Sequence, residues 1–306
     1  MEPLALLAAA SIPAALAYSA WRKAPLSLTF GVSFIAVFAL GYVDQLVSAP
    51  IPYPEFPFWP RFYADLAVTR FGPFHAGPWT YVTSMFLHGG FFHLVFNLLF
   101  MLMLGPLLED RIGSLRWAVL YFAGGMVATF GFELLHLQDP AYALLGASGA
   151  LSAIFGAFGR LYPRERIQIW IPIPLPAAPA IYYVVGFVFV QFLLVFAPAG
   201  LFGGIAWEAH VIGLGFGFAA APLVMRIKVK RKAEHAAVVD PAALVPLATT
   251  RELRQVLDDL RAADLPEVRA AWLEKFAATA KCPECSGPLR LRRTGLTSTC
   301  GWRLRF

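Results

Sequence analysis

Long apolar stretches separated by short polar segments occupy most of the chain up to Met225. A run of roughly 20 apolar residues can cross a bilayer as a helix. We predict seven such helices, at residues 4–20, 26–47, 85–108, 117–132, within the uncharged run 141–159, at 180–196, and in the run around His210. The stretch 48–83 is rich in proline and aromatic residues, which is typical of a loop at the bilayer interface.

The composition is that of a polytopic membrane protein. Hydrophobic residues make up 58% and charged residues 14% of the 306 positions, whereas soluble domains carry roughly 25% charge. Residues 1–25 lack the basic start of a signal peptide, and Arg22 and Lys23 follow the apolar run. We therefore interpret 1–25 as an extra N-terminal membrane helix, with a cleaved signal peptide as the alternative.

The basic residues predict the orientation in the membrane. Residues 226–306 carry 16 basic and 9 acidic side chains, and the rest of the chain carries 9 and 10. Basic residues also cluster after alternate helices, near positions 22, 111, 160 and 226. By the positive-inside bias, these ends and the C-terminal tail are expected in the cytoplasm, in a protein of the plasma membrane. The basic tail thus indicates topology, and no nucleic acid is expected as a partner.

Two of the predicted helices carry a polar residue on a face of small residues. Ser148 is followed by Gly149, Ala153 and Gly156, and His210 by Gly213 and Gly217. Small residues at such spacings let two helices approach closely. Both helices enter from the outer side, so a nucleophilic serine and its histidine base could meet there. The alternative is a serine bonded to its own helix and a histidine packed between helices.

A second polar pair lies in the third helix. His93 and Asn97 are four residues apart and therefore share one face. An imidazole N–H and a side-chain amide can together stabilise the oxyanion that forms during amide hydrolysis. The alternative is a hydrogen bond between helices.

With these residues, the chain resembles the rhomboid family of intramembrane serine proteases over residues 26–225. The resemblance rests on four segments in order: His88-Gly-Gly-Phe-Phe-His93-Leu-Val-Phe-Asn97, Glu109-Asp-Arg111-Ile-Gly113, Gly146-Ala-Ser148-Gly149, and Ala209-His210-x-x-Gly213-x-x-x-Gly217. It implies an all-α polytopic fold with a six-helix core at 26–226, to which residues 1–25 are an addition.

The resemblance also implies a function. Ser148 would be the nucleophile and His210 the general base, with no acidic third member and no cofactor for catalysis. His93, Asn97 and the Ser148 backbone N–H would form the oxyanion hole. His88 would be structural, and four glycines would support the site: Gly146, Gly149, Gly213 and Gly217. Substrates would be transmembrane proteins within the lipid bilayer. The alternative is a non-catalytic rhomboid-like adaptor that binds membrane helices.

The sequence departs from the family pattern at two positions. Trp79 is followed by Thr80 where the family often has arginine, which leaves the anchoring of the first outer loop open. Ser152 stands where an aromatic residue often packs on the base, so Phe155 or Tyr142 could take that place. Glu208 lies two positions before His210, and we do not expect it to act as a third catalytic member.

The tail is predicted to be a separate cytoplasmic part that could bind a partner there. Residues 227–248 form a basic juxtamembrane segment and a linker, and 249–306 contain two helices that begin at capping boxes with Thr249 and Asp264. Three cysteines then resemble an incomplete zinc ribbon: Cys282, Cys285 and Cys300. Thr297 stands where a fourth cysteine is expected, so His235 could complete a zinc site. The alternative is a set of free reduced thiols.

Overall fold

A computed structural model describes residues 3–47, 61–71, 74–75, 77–139, 141–171, 173–194, 196, 205–228, 240–263, 266–292 and 295–305. The chain divides into two compact units, Met1–Val229 and Lys230–Phe306, and each is described by itself.

The first unit is built mainly of helices. In chain order they are α1 (Pro3–Arg22), α2 (Leu26–Val47), α3 (Arg61–Leu66), α4 (Thr80–Thr83), α5 (Phe91–Ile112), α6 (Ser114–Leu135), α7 (Ser148–Leu161), α8 (Ala180–Leu194) and α9 (Trp207–Val224). A 3-10 turn at Ser84–Phe86 precedes α5. The protein is thus a predominantly helical, polytopic membrane protein.

Among the described residues, five helices are long and apolar enough to cross a membrane: α1, α2, α5, α6 and α9. The two other predicted membrane helices, α7 and α8, are shorter in the described part of the chain. Helix α8 has 15 residues and α7 has 14. At 1.5 Å per residue, α7 rises only about 21 Å, less than the roughly 30 Å of the hydrocarbon core.

Short strands connect the helices of the first unit. They are β1 (Val68–Phe71), β2 (Phe74–His75), β3 (Ala141–Leu144), β4 (Arg166–Ile167), β5 (Trp170–Ile171), β6 (Ile173–Pro174) and β7 (Ala178–Pro179). Strand β1 lies between β2 and β3, and both pairings are antiparallel. Because Val68 pairs with Leu144, the chain just before Ser148 is tied to a segment some 75 residues earlier.

The pairing with β1 corrects the expected course of the run 141–159. Residues 141–144 form a strand rather than a helix, and α7 begins at Ser148 itself. Every residue from Ala150 to Gly159 is buried. Helix α7 is therefore the central helix of the unit, with α5, α6, α8 and α9 around it.

Helices α7 and α9 approach each other backbone to backbone. A Cβ atom added to Gly213 would overlap the carbonyl group of Gly149, and one added to Gly217 would overlap that of Ala153. On the other side of the contact, a Cβ at Gly156 would overlap the carbonyl of Leu214. The small-residue faces seen in the sequence are therefore the faces in contact.

The basic helix ends lie on one side of the first unit. The Glu109 carboxylate, near the end of α5, accepts hydrogen bonds from the backbone N–H groups of Leu26 (2.7 Å) and Ser27 (2.8 Å) at the start of α2. Arg116 at the start of α6 donates to the Ile227 carbonyl just beyond α9 (2.7 Å). The N-termini of α7 and α9 consequently face the opposite side.

The aromatic stretch 48–83 is only partly a surface loop. Residues 48–60, including Trp59, lie outside the described residues. Phe62 and Tyr63 of α3 are buried in the core of the helical unit, so their rings contact protein rather than lipid or water. Trp79 is half-exposed, and its indole N–H donates to the Asp65 carbonyl (2.9 Å), which gives this loop an anchor without arginine at position 80.

The second unit combines helices with a small sheet. A 3-10 helix at Pro241–Leu247 is followed by α10 (Arg251–Ala262) and α11 (Pro266–Thr279), then by β8 (Leu289–Arg292), β9 (Gly295–Ser298) and β10 (Arg303–Arg305). The strands form an antiparallel sheet in the order β10-β9-β8. Buried residues of α10 recur at helical spacing: Leu253, Val256, Leu257 and Leu260.

Two expectations for the tail are corrected. The cap of α10 is Thr250 rather than Thr249, because the Thr250 hydroxyl accepts the Leu253 N–H (3.2 Å). The segment 241–247 is not merely a linker, since Leu244 and Leu247 are buried in the core of the second unit. Asp264 and His235 lie outside the described residues.

The contact between α7 and α9 predicts different effects of two glycine substitutions on one helix. Gly217→Ala would push a methyl group into the Ala153 carbonyl, whereas a Cβ at Gly215 meets nothing within 4 Å. We expect Gly217→Ala to lower the free energy of unfolding by about 1–3 kcal/mol, and Gly215→Ala to change it by less than about 0.5 kcal/mol. Unfolding in mixed micelles measures both, and equal effects would contradict the described packing.

Candidate active site

Ser148 occupies the first position of α7, immediately after a tight turn. Gly146 has a φ of +126°, a region that favours glycine, and its N–H donates to the Ser84 carbonyl (2.9 Å). Helix α7 makes its first hydrogen bond from Leu151 N to Ala147 O (2.9 Å). The N–H groups that precede Leu151 therefore have no partner within the helix, as at any helix start.

His210 lies in the first turn of α9 and reaches Ser148 directly. Its Nε2 is 2.7 Å from the Ser148 Oγ. This is the length of a good hydrogen bond to a hydroxyl group. The close approach of Gly213 to Gly149 fixes the two helix starts beside each other, so the pair depends on the packing of α7 against α9.

His93 stands against the turn that precedes Ser148. Its Nε2 is 2.7 Å from the point where a Gly146 Cβ would lie, and the Ser148 Oγ is 3.6 Å from the same point. The Gly89 N–H donates to the His93 Nδ1 (3.4 Å). Because Nδ1 accepts this bond, the proton of a neutral imidazole is on Nε2, on the side of Gly146 and Ser148.

The side chains of Asn97 and His88 are both buried. The buried Asn97 amide donates through Nδ2 to the His93 carbonyl (2.9 Å), which uses one of its two N–H hydrogens. The His88 ring is buried next to Phe34 and His93, with ring centroids 5.0 and 5.2 Å away. Tyr63 donates its hydroxyl to the His88 carbonyl (3.1 Å).

The structure adds two residues of α8 that sequence reasoning did not identify. Gln191 Oε1 is 2.9 Å from the His210 Nδ1. Phe187, four residues earlier, has its ring centroid 6.2 Å from that of His210. The two candidates from the sequence contact other rings: Phe155 contacts Phe187, and Tyr142 contacts Phe132 and His136. Among the described residues, Phe187 is therefore the aromatic ring beside His210.

Carboxylates near the site are turned away from the Ser148–His210 pair. Glu208 Oε1 lies 3.9 Å from the His136 Nε2. Glu133, at the end of α6, accepts hydrogen bonds from the hydroxyls of Tyr81 and Tyr142. The Tyr142 hydroxyl thereby holds β3 to α6.

The tail contains a cluster of three thiols. The Sγ atoms of Cys282, Cys285 and Cys300 lie within 4.8 Å of one another, and those of Cys282 and Cys300 are 3.6 Å apart. Ser298 places its hydroxyl 3.3 Å from the Cys285 Sγ, and this hydrogen bond, more than that of Cys300, lowers the pKa of the Cys285 thiol to about 6. Thr297 instead hydrogen-bonds to the Arg290 carbonyl on β8 (3.5 Å).

The donor set and spacing fit a zinc ion. Zn–S bonds of about 2.3 Å in a tetrahedral site imply S···S separations of about 3.8 Å. Cys282 and Cys300 lie near this separation at 3.6 Å, and all three thiols lie within 4.8 Å of one another. An oxygen or a further ligand would complete the site. The residues are thus compatible with metal binding by the tail.

Comparison with known proteins agrees with the geometry of the membrane unit. Residues 75–227 match the model of the Rhomboid domain, which is half of the 306-residue chain. The matched segment contains the Ser148–His210 pair as well as His93, Asn97 and Gln191.

Individual relatives include proteases and one protein named as inactive. The chain is 32% identical to Rhomboid-type serine protease 2 of Emericella nidulans over 147 residues, which are 48% of this chain and 27% of the relative. It is 40% identical to Rhomboid-like protease 3 of Toxoplasma gondii over 78 residues, 26% of this chain and 28% of the relative. It is also 36% identical to Inactive RHOMBOID-like protein 8 of Arabidopsis thaliana over 83 residues, which are 27% of this chain and 22% of the relative. The chain thus spans about a quarter of the length of these relatives.

Proposed function

This chain belongs to the rhomboid family, and we propose that it is an intramembrane serine endopeptidase that cleaves transmembrane segments of other proteins. The observation that carries the proposal is the 2.7 Å hydrogen bond between Ser148 Oγ and His210 Nε2. A serine bonded to an unprotonated imidazole nitrogen can lose its proton as it attacks a carbonyl carbon.

In the proposed reaction, His210 acts first as base and then as acid. As Ser148 Oγ bonds to the scissile carbonyl carbon, its proton moves to His210 Nε2. His210 then donates this proton to the leaving amine, and an acyl-enzyme remains. A water molecule gives a proton to His210 and attacks the ester carbonyl carbon. The bond between this carbon and Ser148 Oγ then breaks, His210 returns the proton to Ser148 Oγ, and the new carboxyl end is released.

Three groups are proposed to stabilise the negative oxygen of the tetrahedral intermediate. The first is the Ser148 backbone N–H, at the positive end of α7. The second is the His93 Nε2–H, which lies beside Gly146. The third is the remaining N–H of the Asn97 amide. Donors that are held in place before the substrate arrives stabilise such an oxygen most effectively.

The topology is part of the proposal. The protein would be an enzyme of the plasma membrane, with the basic ends of α1, α5, α7 and α9 and the C-terminal tail in the cytoplasm. Ser148 and His210 would then open toward the outer side. Substrates would reach the pair from the bilayer, and the tail would bind a cytoplasmic partner.

The tail is proposed to bind one zinc ion through Cys282, Cys285 and Cys300. Cys282 is buried in the core of the second unit, so the ion would hold the β8–β10 sheet to α11. Such a site is structural, and no step of peptide cleavage uses it.

The first prediction tests the Ser148–His210 pair. Ser148→Ala and His210→Ala should each lower kcat for a single-span model substrate by orders of magnitude, on the order of 10⁶ by the behaviour of other serine hydrolases. The double variant should be no worse, because the two groups act as a unit. Ser152→Ala, which removes a buried hydroxyl one turn farther along α7, is the matched control.

Labelling by a fluorophosphonate separates the enzyme from a non-catalytic adaptor. The purified protein in detergent should react through Ser148, and Ser148→Ala should not. A folded protein that binds membrane helices but neither reacts nor cleaves would favour the adaptor. Substantial cleavage by Ser148→Ala would exclude Ser148 as the nucleophile.

A further prediction concerns the oxyanion. Asn97→Ala should lower kcat by roughly 10²–10³ if its amide acts alone, and by less if His93 compensates. KM should change little, because the interaction forms mainly in the transition state. Single-turnover cleavage of a model substrate measures the effect. An unchanged kcat would limit Asn97 to its hydrogen bond with the His93 carbonyl.

The tail prediction uses the whole 306-residue chain. Metal analysis should find one zinc per chain, and Cys282→Ser should lose it while labelling of Ser148 continues. Ser148→Ala is the control that should retain zinc. A protein purified in zinc-containing buffer without bound metal would show that the three cysteines are free thiols.

A further inference from the structure

We propose that Gln191 is a positioning residue that holds His210 in the tautomer needed for proton transfer. The inference rests on the proposed function, because it concerns the same serine and histidine. It adds a third member, a neutral amide from α8, to a pair for which the sequence predicted none.

The placement of Gln191 is unusual for its helix. Helix α8 is almost wholly apolar, and of its residues only Ala180, Val184 and Gln191 are buried. Gln191 is 5% exposed, whereas its neighbours Val190 and Phe192 are 51% and 57% exposed. Burying an amide among apolar side chains costs free energy unless it is hydrogen-bonded. The described partner of this amide is His210.

The hydrogen bonds on the two sides of the imidazole define the tautomer. Gln191 Oε1, 2.9 Å from Nδ1, can only accept a hydrogen bond, so Nδ1 is the donor and carries the hydrogen of the neutral ring. Nε2 is then unprotonated and accepts the Ser148 hydroxyl at 2.7 Å. The opposite tautomer would place a hydrogen between Nε2 and Ser148 Oγ, and His210 could not take the serine proton.

A neutral partner fits this location better than a carboxylate. In soluble serine proteases an aspartate orients the histidine, but a charge inside the bilayer is costly. Glu208, the acidic residue nearest His210 in sequence, is directed to His136 instead. The amide dipole of Gln191 can therefore fix the tautomer without placing a charge beside the site.

Phe187 completes the support from α8. It lies four residues before Gln191 and so on the same face of the helix. Its ring is tilted 40° to the His210 ring at 6.2 Å between centroids, and it also contacts Phe155 of α7. One face of α8 thus supplies both a hydrogen bond and an apolar contact to the base.

The experiment compares three substitutions of Gln191 with a lipid-facing control. Gln191→Leu and Gln191→Met keep the size of the side chain but remove the acceptor, whereas Gln191→Glu keeps an acceptor. The control is Val190→Leu, next to Gln191 on the exposed side of α8. We expect the Leu and Met variants to lose roughly 10- to 100-fold in kcat with little change in KM. Gln191→Glu should recover only part of that loss, because a carboxylate also accepts from Nδ1 but carries a charge that is costly inside the bilayer. Val190→Leu should behave like the unmodified protein.

A measurement that does not need activity completes the test. Nitrogen NMR of histidine-labelled full-length protein distinguishes the two tautomers, and His210→Ala assigns the signal. The unmodified protein should show the hydrogen on Nδ1, and Gln191→Leu should show a mixture. Wild-type kcat in both apolar variants, or a hydrogen on Nε2 in the unmodified protein, would overturn the inference. If the unmodified protein neither cleaves nor reacts with fluorophosphonate, the proposed function fails, and the NMR result still decides the role of Gln191.

Discussion

The contact between α7 and α9 is the interaction on which the candidate site depends. Gly213 and Gly217 lie so close to the carbonyls of Gly149 and Ala153 that no side chain fits between the helices. Lipid is as apolar as the helix surfaces, so association in a membrane relies on such close packing rather than on the hydrophobic effect. The 2.7 Å bond between Ser148 and His210 follows from this contact, since separating the helices by about 1 Å would exceed hydrogen-bond distance.

The close packing has a consequence for the backbone before α7. At membrane depth every backbone polar group needs a partner, and a helix that starts inside the unit leaves several N–H groups unpaired. The chain before Ser148 meets this requirement by pairing β3 with β1 and by the bond from Gly146 N to Ser84 O. The N–H groups that precede Leu151 in α7 have no partner within the helix, and they include the Ser148 N–H proposed for the oxyanion hole. The point at which α7 starts therefore determines where these donors lie.

The sequence predicts the helices better than it predicts where the site begins. The bounds of α2 agree with the apolar run 26–47, and the small-residue spacing identified the faces of α7 and α9 that are in contact. Residues 141–144 are as apolar as a spanning helix, and only pairing with the distant Val68–Phe71 makes them a strand. Gln191 has no periodic relation to His210, so its role depends on how α8 packs. The signal available in the sequence was a single amide side chain, Gln191, in the otherwise apolar helix α8.

The proposed chemistry uses side chains that are neutral in the resting state, and the membrane gives a reason. Serine, histidine, asparagine and glutamine side chains make up the candidate site. Glu133 and Glu208 lie at helix ends, where Glu133 accepts hydrogen bonds from two tyrosine hydroxyls and Glu208 lies near a histidine. A permanent carboxylate beside His210 would stabilise the imidazolium, but it would also need solvation throughout the resting state. An amide avoids that cost and still fixes the proton on Nδ1. The imidazolium formed during reaction would then be balanced mainly by the oxyanion itself, so both charges arise together and disappear together as the tetrahedral intermediate collapses.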